Sequence, residues 1–111
     1  MEPSGTDWSA KMRTQGALGY AFEQFSGAVR SLAIGREPLS ERLWRAWAYR
    51  ITHVREQDLG DTKLAERIAA IKQQLHSLGD LNEDQEVVLA DEIVSVYSEI
   101  IEQLAMRSSP G

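Results

Sequence analysis

The chain has 111 residues, about one domain's worth, with 42% hydrophobic and 26% charged residues and a formal charge of −5. That balance supports a buried core and excludes a chain disordered in bulk, while the lack of cysteine excludes disulfide scaffolds, thiolate metal sites and thiol nucleophiles. No apolar run approaches the roughly 20 residues that span a bilayer, and the opening MEPSGTDWSAK lacks a signal peptide's apolar stretch, so a cytoplasmic chain with no membrane segment is expected.

Prolines stand only at 3, 38 and 110, which leaves residues 39–109 free of the strongest helix breaker. No segment alternates as a half-buried strand does. The expected fold is therefore all-α, an antiparallel bundle of about four helices, with three helices and a loose N-terminal arm as the alternative. Composition places flexible tails at 1–7 and 108–111 around a single domain at 8–107.

In the first helix Leu18, Phe22, Phe25, Val29 and Leu32 recur at four-three-four-three spacing, which lays one stripe along a helix. Gly35 reads as its terminator. Trp8 and Met12 extend the pattern backward, with a break expected near Gly16 because Gly16 and Gly19 both weaken a helix. The second helix begins after Pro38, carries Leu39, Leu43, Trp47, Ile51 and Val54 on one face, and is expected to end between Arg55 and Asp58. Asp58 and Asp61 announce the third, where acids suit the orphan amides of a helix start. Its stripe is Leu64, Ile68, Ile71, Leu75 and Leu78, and Gly79 is its expected stop.

The fourth helix opens on Asn82 and Gln85, a capping-box pair, and runs to about Met106. It holds two apolar stripes: Leu89, Ile93, Val96 and Ile100, and Val87, Ala90, Val94, Tyr97, Ile101 and Leu104. Together they exceed the apolar width of one buried face, so the second belongs either to the core or to an interface with another chain. Val94, Tyr97 and Ile101 are the candidate interface residues there. Trp44 joins them, because two tryptophans three residues apart, Trp44 and Trp47, cannot both point at one core.

Charge is segregated. Residues 80–106 hold eight acids and no lysine or arginine, whereas residues 30–55 hold Arg30, Arg36, Arg42, Arg45, Arg50 and Arg55 against Glu37 and Glu41. Either the second and fourth helices neutralise each other, or one face is left for a partner of opposite sign. Projected on a continuous second helix, Arg42, Arg45, Tyr49 and His53 share the side opposite the apolar face. Arginine forks beside a phenol and an imidazole can hold a carboxylate or phosphate.

No catalytic motif accompanies them: there is no nucleophile elbow and no Gly-rich phosphate loop. The arginine-to-histidine spacing of HEPN-type helical nucleases is not met by Arg45 or Arg50 ahead of His53. Neither His53 nor His76 follows a glutamate by three residues, as a dimetal bundle requires, and no metal or cofactor is expected. The segments LGYAFEQFSGAVRSLA at 18–33, LSERLWRAW at 39–47 and ADEIVSVYSEI at 90–100 resemble a group of short bacterial all-α proteins. That resemblance implies a standalone bacterial helical fold and carries no activity or site residue.

The functional expectation is a non-enzymatic interaction module of accessory, inhibitor or immunity type, docking on a basic protein surface through the acidic fourth helix and self-associating. The second expectation is a nucleic-acid or nucleotide-associated factor using the arginine face. Net acidity weighs against nonspecific nucleic-acid binding, which depends on phosphate neutralisation.

Overall fold

The computed structural model describes the backbone of residues 3–108 and the side chains of residues 16–106. Among these residues every regular element is helical: α1 (Pro3–Ile34), α2 (Leu39–Tyr49), 3₁₀ turns at Ile51–His53 and Glu56–Asp58, α3 (Thr62–His76), a 3₁₀ turn at Leu78–Asp80, and α4 (Glu83–Ser108). The molecule measures 55 × 25 × 21 Å. α1 packs chiefly on α2 and α4, and α3 on α4.

One expectation about α1 is corrected: it runs through Gly16 and Gly19 without a break, and its described backbone starts at Pro3. The proline sits where its missing N–H costs nothing. The proposed tails otherwise fall on residues 1–2 and 109–111, outside the described residues, and Ser108 still belongs to α4. No helix among the described residues is long and apolar enough to cross a membrane.

The core stripe of α1 is Leu18, Ala21, Phe25, Ala28 and Leu32, with Phe22 and Val29 half-buried beside it. The two alanines let neighbouring helices approach, and the larger side chains fill the flanks. Leu43 and Ala46 enter from α2, Leu64, Ile68, Ile71 and Leu75 from α3, and Leu89, Ile93, Val96 and Ile100 from α4. The last two sets are the stripes read from the sequence, apart from Leu78, which lies half-buried in the 3₁₀ turn beyond α3.

α2 is shorter than its apolar pattern suggests. It ends at Tyr49, and Arg50 takes φ −131° and ψ −71°, outside the helical region. Ile51, Val54 and Leu59 remain buried in the irregular segment that follows, so the spacing of core residues outlives the helix. The Lys72 ammonium donates to the Val54 carbonyl and pairs with Glu56 at 2.6 Å, tying this segment to α3. Burial opposes ionisation of Glu56, but the bond from Lys72 prevails and its carboxyl lies below the ordinary value.

The helix starts follow their caps. Asp61 Oδ1 accepts from the Leu64 amide at 2.9 Å and Oδ2 from Gln103 Nε2 at 2.8 Å, so one carboxylate caps α3 and holds it to α4. Asp58, the other expected acid, pairs instead with Arg55 at 3.2 Å. At α4 the Gln85 amide donates to Asn82 Oδ1 at 2.8 Å and the Asn82 amide to Gln85 Oε1 at 2.9 Å, a reciprocal pair.

The helix ends do not use the expected glycines as left-handed caps. α3 stops at His76, three residues before Gly79, and Gly60, with φ 81°, is the single positive-φ glycine of the described residues. The end of α1 is closed by a side chain. Arg42 Nη1 donates to the Leu32 carbonyl at 2.6 Å and Nε to the Glu37 carbonyl at 2.8 Å. A Cβ on Gly35 would stand 2.6 Å from Arg42 Cδ and 2.8 Å from the Ser31 carbonyl, so Gly35 admits both the arginine and its own bond back to Ser31.

Candidate functional site

Two surfaces stand out, a basic cleft between α1 and α2 and an apolar row on α4.

The cleft, of about 530 Å³, is lined by Arg30, Arg36, Arg42, Arg45 and Arg50, with Glu37 as its single acid. Five of the nine arginines of the chain thus converge on one hollow. The floor is Gly27 and Ser31 on one side of α1 and Gly35 just past its end, spaced four residues apart. The Ser31 hydroxyl turns back to the Gly27 carbonyl at 3.1 Å, so the floor is a low ridge over which arginine stems can lie. A Cβ on Gly27 would meet Arg50 Nε at 2.5 Å and Cζ at 2.6 Å. The guanidinium of Arg50 therefore rests against the backbone of α1.

The five arginines divide by what they already hold. Arg42 is spent on the Leu32 carbonyl in the last turn of α1 and the Glu37 carbonyl beyond it. Arg45 pairs with Glu37 at 3.1 Å and Glu41 at 3.7 Å. Arg30, Arg36 and Arg50 are exposed and have no carboxylate within ion-pair distance among the described residues.

The expected quartet does not assemble as one face. Arg42 and Arg45 both line the cleft, but Tyr49 stands off it, 66% exposed, with its ring edge-on to Trp44 at 6.2 Å. His53 is exposed on the 3₁₀ turn beyond the end of α2, so the projection that placed it beside Tyr49 fails with the helix. The sequence reading missed Arg30, Arg36 and Arg50 as members of the set. On a continuous helix Arg50 would share the Leu43 face; the irregular Arg50 backbone releases it toward Gly27. The four-residue spacing of Gly27, Ser31 and Gly35 was the available signal.

Neutralisation between α2 and α4 is also replaced by other pairings. Among the described residues no ion pair joins the two. Instead Glu92 of α4 receives Arg67 of α3 at 2.9 and 3.1 Å, and the same arginine donates to Ser95 at 2.8 Å. The bond to Glu92 holds the Arg67 guanidinium above its ordinary value.

On α4 the second apolar stripe splits. Ala90, Tyr97 and Leu104 pack partly against the core, and Tyr97 stacks on Phe22 with ring centroids 5.8 Å apart. Val87, Val94 and Ile101 remain 59%, 43% and 42% exposed, seven residues apart in one row. About 40–100° further round the helix stand Asp84, Asp91 and Glu102, all exposed. Trp44, 51% exposed, lines a hollow with Leu78, Leu81 and Glu86. Among the described residues no three His, Asp or Glu side chains gather as metal ligands.

Comparison with protein-family models, curated proteins and solved structures finds no match. The functional reading rests on the geometry of these two surfaces.

Proposed function

We propose that the chain is a non-catalytic helical interaction module that docks a partner protein through α4. The observation carrying this reading is the row Val87, Val94 and Ile101, left exposed on a helix whose other stripe already fills the core. Three β-branched side chains in line are a surface that gains by being covered. Their seven-residue spacing suits a straight seam with another helix. The rail of Asp84, Asp91 and Glu102 selects a partner helix whose apolar stripe is bordered by lysine or arginine, since opposite charges orient docking and like charges oppose it. The scaffold presenting α4 is inferred to be an antiparallel bundle, from the short connections between successive helices.

Self-association is the second reading. Val87, Val94 and Ile101 recur every seven residues, and β-branched residues at one seam position of a heptad favour two-stranded pairing. Two copies would bring acidic rails together, so this dimer would be strengthened by salt.

The test is fluorescence anisotropy with a labelled synthetic amphipathic helix, leucine along its seam and lysine at its flanks. Saturable binding, lost in Val94→Glu and weakened in Asp91→Asn, supports the reading. Binding that Val94→Glu leaves unchanged, or none at low salt, overturns it. Sedimentation velocity of the protein alone decides the second reading: a dimer dispersed by Val94→Glu places a second copy on α4.

A further inference from the structure

We infer that the arginine cleft between α1 and α2 is a binding site for a compact anion carrying two or more linked phosphate groups, whether the tail of a nucleotide or a free oligophosphate. The inference is independent of the proposed role of α4, since it concerns the opposite charge and another pair of helices.

Its basis is an imbalance that the fold does not resolve. Closing the end of α1 requires one arginine, and Arg42 does this alone. Arg45 is balanced by Glu37 and Glu41. Arg30, Arg36 and Arg50 then add three positive charges to the same hollow in a chain whose net charge is −5. Gathering like charges costs free energy unless a counter-ion shares the site. No acid among the described residues supplies it, although acids outnumber bases by 17 to 12 in the chain. The hollow is of small-ligand size, and arginine's rigid fork meets phosphate oxygens two at a time.

Charge and compactness select among anions. A lone carboxylate would leave most of the positive charge unmatched. An oligophosphate places several charges within the reach of three forks. A nucleic-acid strand would have to continue from the cleft across a net acidic molecule, which its own backbone charge opposes. Glu37 is the one repulsive group in the lining, and it also holds Arg45 at 3.1 Å. Removing its charge should therefore strengthen anion binding and leave Arg45 held by Glu41 alone.

The experiment is isothermal titration calorimetry of the intact protein at low salt with tripolyphosphate, orthophosphate, ATP and a single-stranded oligonucleotide. Tripolyphosphate is expected to bind one to one, about tenfold or more tighter than orthophosphate. Arg30→Gln, Arg36→Gln and Arg50→Gln should each weaken it about tenfold, and Glu37→Gln should tighten it. Gly27→Ala is the variant that separates binding from folding. Its methyl displaces the end of the Arg50 side chain while alanine favours the helix, so affinity falls in a protein at least as stable as the parent. ATP binding well above tripolyphosphate identifies a nucleotide, and equal binding a free oligophosphate. No saturable binding, binding indifferent to the three arginine variants, or affinity that rises with oligonucleotide length beyond tripolyphosphate would overturn the assignment.

Discussion

Replacing Arg42 by methionine tests whether a side chain, and not a glycine turn, terminates α1. Methionine keeps much of the apolar stem lying over Gly35 and removes the two bonds to the Leu32 and Glu37 carbonyls, at 2.6 and 2.8 Å. A hydrogen bond from a charged donor contributes about 1.5–3 kcal/mol when its acceptor is left unsatisfied. Arg42 is only half-buried, so water partly replaces it, and the two bonds together should be worth about 2 kcal/mol. For a domain of this size that corresponds to about 8 °C in Tm. Arg45→Met is the matched control. Its side chain and Glu41 are half exposed and Glu37 is part-buried, and exposed pairs contribute up to about 1 kcal/mol. Lysine at 42 keeps the charge near the negative end of the helix dipole but not the fork, and should recover about half of the loss. Urea denaturation with the parent slope gives the comparison directly. If Arg42→Met lies within about 0.5 kcal/mol of the parent, or costs no more than Arg45→Met, Arg42 does not cap α1.

Three further outcomes follow from other parts of the molecule. Gly19→Ala meets open space within a continuous helix and should raise stability by up to about 1 kcal/mol, read in the same denaturation assay. Asp61→Ala should cost about 1–2 kcal/mol at pH 7 through the lost α3 cap. The Leu64 amide bond, aided by Gln103, lowers the Asp61 carboxyl below its ordinary 3.8, so the parent's advantage is complete above that value and disappears as pH falls through the folded value; titrating both proteins by urea at pH 7 and below pH 4 checks the sign. Val94→Glu with Ile101→Glu should leave a folded, helical protein by circular dichroism, whereas Ile93→Glu, at a fully buried position, should unfold it.

What could be read from the sequence was local. The Asn82–Gln85 box, the Asp61 cap and the four-three spacing of α3 depend on residues within a turn or two of one another, and the structure keeps them. The length of α2 was not legible for a physical reason. Ile51 and Val54 continue its spacing because the core needs apolar side chains there, whatever the backbone does. β-Branched Ile51, Thr52 and Val54 weaken the helix only modestly, and what stabilises the 3₁₀ path is Lys72, eighteen residues beyond Val54. Gly35 was legible as the end of α1 but not in its reasons, the approach of Arg42 from the next helix and of the Ser31 carbonyl.

The same long-range contact explains why the basic segment was visible while its site was not. Arginines at 30, 36, 42, 45 and 50 are plain in the sequence, but their convergence requires α2 to fold back over the Gly27–Ser31–Gly35 ridge and then break at Arg50. On α1 that ridge lies roughly half a turn from Phe22, which stacks against Tyr97 of α4. α1 thus carries the floor of the basic cleft and its contact with α4 on opposite sides. One face can be filled without covering the other, so a phosphate ligand in the cleft should leave docking at α4 unobstructed. In its absence, the exposed basic and acidic faces of different copies would attract one another, a head-to-tail contact that need not close. Weak association that vanishes with added salt or with tripolyphosphate, and survives Val94→Glu, would be the mark of this contact, in contrast to an α4 dimer that salt strengthens and Val94→Glu disperses.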